Sequence, residues 1–302
     1  MWIENSRNKG IFAILLLAFF SVLMGVVARE LSASFTLFQQ IYLRLAVASL
    51  VGAIIFHKAL GRKKLQKIPL IEWRLIIFRA ILGFMIGAPL WVSGFTQAKL
   101  ANAVFIDSIP MSSLLGFIVL KESVTFTKVF LLFLSFVGAA VISIKDVSGF
   151  GAVGKGEFLI FCAIVFFALR NVMRRFHSSH VSDAQITQLM HIIGALMLFM
   201  LSLFIGESLP LYGWTLKNIL LVVTGGVLNV GILYTTNYGF SKLDAVTAGN
   251  LSLIAIVFGV ILGSFLYAEF PTFKELFGGV LIVISVILMN RVTRKNTVTE
   301  PL

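Results

Sequence analysis

Residues 11–28 read IFAILLLAFFSVLMGVVA, a run of apolar and small residues without a single charge. A helix needs about 20 such residues to cross the ~30 Å hydrocarbon core of a bilayer. A helix on a soluble protein would instead alternate an apolar stripe with a polar face. The stretch therefore predicts a membrane-spanning helix, and comparable runs recur along the rest of the chain.

The composition of the whole chain agrees with a membrane protein. Its 302 residues are 59% hydrophobic and only 13% charged, against roughly 45–50% and 25% in soluble proteins. The mean hydropathy is +1.00. Cys162 is the single cysteine, so an intrachain disulfide is excluded. Soluble folds, disordered chains and disulfide scaffolds are therefore excluded, and an all-α polytopic membrane protein remains.

Ten apolar runs are long enough to be spans, and the short connections between them leave no room for an extramembrane domain. The first span follows Arg7 and Lys9 and would also suit a signal peptide, but its later counterpart in the chain favours a permanent span. The predicted spans are residues 10–28, 36–57, 74–95, 100–120, 126–144, 156–176, 184–205, 216–240, 244–268 and 273–291.

The net charge of +12 predicts the orientation of the spans. The two termini and the connections that follow spans 2, 4, 6 and 8 carry 17 Lys and Arg residues, whereas the remaining connections carry 6. Cytoplasmic loops are the Lys/Arg-rich ones, so both termini are expected in the cytoplasm. The basic residues lie between apolar runs, which indicates topology rather than nucleic-acid binding. The remaining two of the 25, Arg44 and Arg79, are assigned to the interior of spans, whereas Arg170 is counted with the connections.

Short motifs recur in the second half of the chain. Phe19-Phe20 recurs as Phe166-Phe167, and Glu122-x-x-Thr125-Phe126 as Glu269-x-x-Thr272-Phe273, each 147 positions later. Two five-span repeats are therefore expected, over 1–146 and 147–302. Because five is odd, the repeats would cross the membrane in opposite senses. Inverted repeats of this kind recur in secondary transporters; an old duplication with a purely structural consequence is the alternative.

Several motifs resemble those of the drug/metabolite transporter superfamily, in particular its EamA-type ten-span members. The similar stretches are Ile41-Tyr42-Leu43-Arg44-Leu45-Ala46, Arg79-Ala80-Ile81-Leu82-Gly83, Pro110 followed by Leu120-Lys121-Glu122, and Tyr267-Ala268-Glu269. The usual glycine before the glutamate is Lys121 in one half and Ala268 in the other. The resemblance implies movement of a small metabolite by alternating access, without ATP or a cofactor.

Apart from charges counted with the connections near the span ends, three charged residues are assigned to the interior of spans, where charge is costly and usually faces the bundle interior. Arg44 suits a substrate carboxylate or phosphate, which a guanidinium binds with two parallel hydrogen bonds; the alternative is a structural ion pair with Asp107. Arg79 either binds an anionic group or extends to the interface. Asp107 beside Arg44 would be a proton-coupling site, unless a permanent ion pair holds it charged.

Other polar and aromatic residues complete the candidate site. His191 corresponds to Arg44 in the repeat and Asn250 to Asp107, while Asn229 and Asn237 share one face of a helix. The resemblance implies that spans 3, 4, 8 and 9 line a central cavity. Interhelical hydrogen bonds or packing are the alternatives for these residues. The candidate substrate-binding residues are Arg44, Arg79, Trp91, Asn102, Asp107, His191, Asn229, Asn237 and Asn250.

Some residues have simpler structural interpretations. The pairs Gly83-x-x-x-Gly87 and Gly259-x-x-x-Gly263 predict close-packing helix faces. Thr125 and Thr272 are expected to cap helices, and the nearby Glu122 and Glu269 are expected to be structural. No metal-binding spacing, Walker sequence or nucleophile motif is present.

The leading prediction is a secondary transporter of a small metabolite with an anionic group, such as an amino acid or an amino-acid-bearing nucleoside. It would lie in a bacterial inner membrane as a monomer or weak homodimer, with no catalytic residues, metal or cofactor. The alternative is a polytopic membrane enzyme acting on a lipid or lipid-linked substrate. Against it, the basic-loop residues His57, His177 and His180 have only Asp183 nearby. A channel is a third class, but no filter-like loop is evident.

Overall fold

The computed structural model describes residues 2–98, 106–107, 109–143, 154–267 and 271–299, and within these the chain is helical with no β-strand. The helices of the first part are α1 (Trp2–Leu31), α2 (Leu37–Ile55), α3 (Arg62–Leu65), α4 (Leu70–Ala80), α5 (Ala88–Gln97), α6 (Met111–Val119) and α7 (Phe126–Ser143). A π-helical turn, Ile81–Gly87, joins α4 to α5. The later helices are α8 (Lys155–Val172), α9 (Asp183–Phe204), α10 (Leu216–Lys242), α11 (Ala245–Ser252), α12 (Ile254–Tyr267) and α13 (Phe273–Thr299).

Eight stretches of these helices are long and apolar enough to cross a membrane. They match eight of the ten expected spans. Of the other two, residues 126–144 correspond to α7, whose apolar part is Phe126–Ile142, and residues 100–120 are described only in part, with α6 at their end. The multi-pass membrane character is thus confirmed in the described residues, while the count of ten stays a prediction.

The helices begin where polar side chains can satisfy their free backbone N–H groups. Thr36 and Gln39 form a reciprocal capping box at α2, and Ser182 and Gln185 form the corresponding one at α9. The predicted cap at Thr125 is confirmed, because its hydroxyl accepts a hydrogen bond from the N–H of Lys128. The predicted cap at Thr272 is confirmed in the same way, because its hydroxyl accepts a hydrogen bond from the N–H of Glu275.

Two helix–helix interfaces depend on glycine. α1 packs on α10, where a Cβ at Gly239 would lie 2.3 Å from Ile14 and one at Gly231 would lie 2.8 Å from Phe20. α8 packs on α5, where a Cβ at Gly94 would lie 2.9 Å from the carbonyl oxygen of Gly156. Any larger residue would push these helices apart.

The sequence-predicted glycine faces have different outcomes. A Cβ at Gly83 would lie 2.4 Å from Arg170 and one at Gly87 would lie 2.7 Å from Phe167, so the first close-packing face is confirmed. The prediction for Gly259 is wrong, because no atom of the described residues lies within 4 Å of the Cβ it would carry, so the position faces open space.

The two ends of the bundle can be told apart by the contacts there. At one end, the Arg7 guanidinium near the start of α1 donates to the backbone and side-chain oxygens of Asn290 in α13, both at 2.7 Å. We call this the terminal end. At the other, the distal end, Lys217 at the start of α10 pairs with Glu30 at the end of α1 over 2.6 Å.

Many large apolar side chains point outward from the bundle. Phe126, Phe204 and Phe265 are 87%, 89% and 83% exposed. In water such a surface would be an aggregation liability, whereas lipid tails solvate it. The described helices thus present an apolar exterior and keep several polar side chains inside.

Candidate functional site

A buried arginine lies at the centre of a polar cluster near the terminal end. The Arg79 side chain is fully buried. Its Nε donates to the backbone oxygen of Arg170 over 2.8 Å, and its Nη2 donates to Oδ1 of Asn237 over 2.6 Å. Asn237 in turn donates to the Thr187 hydroxyl over 2.9 Å. We call Arg79, Arg170, Thr187 and Asn237 the arginine cluster.

The arginine cluster is incompletely satisfied. The Nη1 group of Arg79 is buried and has no hydrogen-bond partner among the residues that the structure describes. A buried donor without an acceptor costs about 1–3 kcal/mol, and more when it is charged. This atom is therefore free to donate to an acceptor that the protein itself does not supply.

Local structure brings the second arginine to the first. Arg79 lies just before the π-helical turn Ile81–Gly87, a type of irregularity often found at functional sites. Because Gly83 and Gly87 have no side chains, α8 can approach this turn closely. Arg170 then lies directly against Gly83, and its guanidinium carbon is 5.0 Å from the centre of the Phe167 ring.

The sequence-based interpretation missed Arg170. It counted this residue among the cytoplasmic loop charges, but the residue lies inside α8, near its end. Its Nε and Nη2 donate to Oδ1 of Asn171, over 3.1 Å and 3.0 Å. A signal was available, since Arg170 falls within the predicted span 156–176.

Among the described residues, no carboxylate lies within ion-pair distance of Arg79 or Arg170. Ion pairs such as Arg174–Asp183 and Lys217–Glu30 lie outside the cluster. Arg79 and Arg170 instead donate to backbone and amide oxygens. Two positive charges thus lie in a poorly screened interior with neutral acceptors only, an arrangement that favours binding of an anion.

Arg44 and Asp107 have different partners, so the ion pair given as an alternative is not formed in the structure. The Nε of Arg44 donates to its own helix at the oxygen of Gln40, over 2.8 Å. Its Nη1 contacts the sulfur of Met24 at 3.0 Å. The reason is packing, because α2 lies against α10 and the Arg44 stem rests on Gly225 there. Arg44 therefore points along α2 toward α1.

Asp107 has a different partner, Trp91. The indole Nε1 donates to Oδ1 of Asp107 over 2.8 Å, and the Trp91 ring lies 4.2 Å from that of Phe95. This pair links α5 to the stretch before α6. Two candidate residues are thus brought together, although neither contacts Arg44. Asn102, on the same predicted span as Asp107, lies outside the described residues.

His191 and Asn229 lie side by side. His191 is fully buried, with its ring 5.9 Å from that of Phe84. Among the described residues, neither ring nitrogen makes a hydrogen bond of good geometry, and the backbone of Asn229 lies next to the ring. The structure therefore places a buried imidazole beside Asn229, between α9 and α10.

Asn250 belongs to a separate polar group. Its side-chain oxygen accepts from the Ser135 hydroxyl, and Ser135 lies 2.7 Å from the Ser285 hydroxyl. These contacts join α11 to α7 and α13. The structure therefore places Asn250 among interhelical hydrogen bonds rather than in the arginine cluster.

A charged layer closes the terminal end below the arginine cluster. Arg174 pairs with Asp183 over 2.6 Å, and His177 Nδ1 lies 2.5 Å from Glu72. Burial, and then the positive charge of Arg79, lowers the pKa of His177 to about 4. His177 is therefore neutral at pH 7, and its Nδ1–H donates to the Glu72 carboxylate.

Two cavities in the described chain lie away from these residues. One of about 530 Å³ lies at the α2–α4 connection, beside Leu65 and Trp73. Another of about 520 Å³ lies between α1 and α10, beside Lys9 and Tyr238. Neither is lined by the arginine cluster. Among the described residues, no group of three or more His, Cys, Asp or Glu could hold a metal ion.

Comparisons with known proteins agree with the helical fold. A protein known from its crystal structure shares 20% identical residues and superposes with a TM-score of 0.78, over 97% of this chain and 98% of the other. The uncharacterized transporter sll1164 of Synechocystis sp. (strain ATCC 27184 / PCC 6803 / Kazusa) is 24% identical over 253 residues, which are 78% of this chain and 70% of that protein. Two segments, residues 8–144 and 154–291, match the EamA-like transporter family. The chain belongs to the EamA-like transporter family, within the drug/metabolite transporter superfamily.

Proposed function

We propose that the chain is a secondary active transporter that moves a small metabolite with an anionic group by alternating access. The observation that carries the proposal is the arginine cluster: Arg79 is fully buried, its Nη1 has no partner, and Arg170 lies beside it. A carboxylate or phosphate on the solute would accept from these guanidinium groups. Transport requires no chemical conversion, so no catalytic residue and no cofactor enter the proposal.

The position of the cluster supports a role in transport. Arg79 comes from α4, in the first half of the chain, whereas Arg170, Thr187 and Asn237 come from three helices of the second half. A group bound here would touch both halves at once. A solute that contacts both halves can favour one arrangement of them over another.

Packing between the halves supports two inverted five-span repeats, over 1–146 and 147–302. Gly10 in α1 lies near Gly239 in α10, and Gly156 in α8 lies near Gly94 in α5. Glycine thus allows close contact between the halves in two places, and such contacts are compatible with the paired, inverted halves that recur in secondary transporters.

The proposed orientation puts the terminal end in the cytoplasm of a bacterium, with ten spans in the inner membrane. It rests on the excess of Lys and Arg in the connections at that end. Reporter fusions after Lys121 should behave as cytoplasmic and fusions after Lys145 as external. A cytoplasmic reporter after Lys145 would overturn the orientation. The protein is proposed to act as a monomer or weak homodimer.

Proton coupling is assigned to Asp107, now with Trp91 as its partner in place of Arg44. Loss of the proton would leave a carboxylate that accepts the indole N–H more strongly. The remaining candidate residues, Arg44, His191 and Asn229, are proposed to line the path of the solute between the two ends.

Binding of ligand to the purified protein tests the proposal. A panel of amino acids, nucleotides, organic acids and neutral sugars is screened by thermal unfolding, because a ligand that binds the folded protein stabilises it increasingly as its concentration exceeds Kd. Anionic solutes should raise the midpoint in the parent and in Arg74→Gln, whose arginine is exposed on the same helix, but not in Arg79→Gln. Equal stabilisation of Arg79→Gln would contradict the assigned site.

A further inference from the structure

Glu122, which follows α6, makes a contact that crosses between the two halves of the chain. Its Oε1 accepts from the N–H of Ala245 over 2.7 Å, and its Oε2 accepts from the N–H of Val246 over 3.0 Å. These N–H groups belong to the first turn of α11, where no acceptor exists within the helix. A carboxylate of the first half therefore caps a helix of the second half.

The backbone before Glu122 is shaped for this contact. Lys121 has a φ of +52°, a conformation that L-residues other than glycine rarely adopt. It ends the α6 segment abruptly and turns the next side chain toward α11. The cost of holding a lysine in this conformation indicates that the surroundings fix the turn.

Neighbouring residues bring α6 and α11 together at the same place. The Ser113 hydroxyl donates to the carbonyl oxygen of Val246 over 3.0 Å. A Cβ at Gly116 would lie 2.9 Å from that of Ala245, and one at Gly249 would lie 2.5 Å from the Ser113 oxygen. The two helices are thus in close contact at the terminal end, with no room between them.

We infer that Glu122 is a positioning residue that holds the terminal end of the transport path closed by capping α11 across the two halves. This inference rests on the proposed alternating-access cycle. To open this end, α6 and α11 have to separate, and the two N–H groups of α11 then lose their acceptor. The contact is local to one end, so it stabilises only those arrangements in which that end is closed.

The acceptor oxygens matter more to this role than the negative charge. Burial raises the pKa of Glu122 above its usual value, although the hydrogen bonds from the N–H groups of Ala245 and Val246 act to lower this pKa. The negative charge of Asp244 also raises the pKa, and the positive charge of Arg175 lowers it. Glu122→Gln keeps one of the two acceptor oxygens and should leave this end largely closed, whereas Glu122→Ala removes both acceptors and should open it.

Accessibility of a buried thiol measures the opening directly. Ser113 is fully buried in the α6–α11 contact, so Ser113→Cys in a Cys162→Ser background reacts with a membrane-impermeant maleimide only when this end opens. Ser202→Cys, at a 2%-exposed site near the distal end of α9, reports general loosening. Both reporters are measured on the full chain in nanodiscs without any solute.

The expected result is a rise of about tenfold in the labelling rate of Ser113→Cys when Glu122→Ala is added, since two acceptors for helix N–H groups are lost. The rate should change less than about threefold with Glu122→Gln. The rate at Ser202→Cys should not change in either variant. Equal rates in Glu122→Ala and the parent would overturn the inference, as would a matching rise at Ser202→Cys.

Glu275 offers a matched control, because its carboxylate accepts from the N–H and hydroxyl of Thr272 at the start of its own helix. Glu275→Ala should leave the labelling rate unchanged, and a tenfold rise in it would refute a specific role of Glu122. Where Glu122→Ala does not fold, Glu122→Asp replaces it. Its side chain is one methylene shorter, so it should open this end partly, and a parental rate would refute the inference.

The outcomes separate this inference from the proposed function. If anionic solutes stabilise the parent and alter the Ser113→Cys rate while Glu122→Ala leaves that rate unchanged, transport stands and the role of Glu122 fails. If Glu122→Ala opens the end but no solute binds or alters the rate, the contact stands and the proposed function fails.

Discussion

Replacement of Arg79 by methionine separates a ligand-binding arginine from a structural one. Methionine fills similar space and adapts its shape to the site, so the main changes are electrostatic. The substitution removes the bonds from the guanidinium to the Arg170 oxygen and to Asn237. It also removes a fully buried charge whose Nη1 has no partner.

The magnitude follows from these opposing contributions. Each hydrogen bond from a charged donor contributes about 1.5–3 kcal/mol, and two are lost. Against this, burial of an ion costs several kcal/mol, and its unpaired donor adds about 1–3 kcal/mol. The contributions nearly offset, so the free energy of unfolding should change by less than about 2 kcal/mol, or roughly 5 °C in the thermal midpoint.

Arg174 supplies the matched control. It pairs with Asp183 over 2.6 Å, and both side chains are largely buried. Loss of one partner of a buried pair costs about 3–5 kcal/mol, because the other charge is left uncompensated. Arg174→Met should therefore lower the midpoint clearly more than Arg79→Met does.

The assay is thermal unfolding of the three proteins in detergent, with and without an anionic solute that stabilises the parent. Arg79→Met should unfold close to the parent temperature and show no stabilisation by the solute. If Arg79→Met is as unstable as Arg174→Met and still responds to the solute, Arg79 is a structural residue and the reasoning is refuted.

Three further predictions concern other parts of the molecule. The pKa of His177 is lowered to about 4 in the folded protein, against about 6.5 in the unfolded chain, so the stability that neutral His177 contributes is present above pH 6.5 and is lost as the pH falls toward 4. At pH 5 the free energy of unfolding should be about 2 kcal/mol lower than at neutral pH, and His177→Gln should not show this loss. Equal acid sensitivity of both proteins in thermal unfolding would exclude His177 as the cause. Gly94→Leu should lower the free energy of unfolding by about 1–3 kcal/mol or more, because the larger side chain overpacks against Ile160. Gly25→Leu should not, because a Cβ at Gly25 meets nothing within 4 Å in the described residues. Similar thermal midpoints for the two variants would show that the α5–α8 contact tolerates separation. Asp107→Asn should keep solute exchange but lose its dependence on a pH gradient, and an unchanged pH dependence of uptake into vesicles would remove Asp107 from proton coupling.

The helices themselves could be predicted from the sequence, because an uninterrupted apolar run of this length is compatible with few structures other than a membrane-spanning helix. The caps at Thr125 and Thr272 could also be predicted, since a cap depends on residues only three positions apart. Gly83 and Gly87 were recognisable as a packing face for the same local reason.

The side-chain partners could not be predicted. Arg44 and Asp107 are both charged and both inside predicted spans, but spacing along the chain does not reveal which helices are neighbours or how each is rotated. The packing of α2 on α10 determines that Arg44 contacts Met24. Asp107 contacts Trp91 because its segment lies beside α5.

Two other residues show the same limit. Arg170 was counted as a loop charge because it lies near the end of a span, and only the π-helical turn and Gly83 bring it to Arg79. Glu122 was interpreted as structural, but its partners lie at Ala245 and Val246, in the other half of the chain. Long-range contacts of this kind leave no mark in a single sequence.

Counterflow in proteoliposomes tests the central claim most directly. Vesicles loaded with an unlabelled anionic solute identified by thermal stabilisation should accumulate the labelled solute transiently, and Arg74→Gln should behave like the parent. Arg79→Gln should show no accumulation above empty vesicles. Counterflow that persists unchanged in Arg79→Gln would contradict the account.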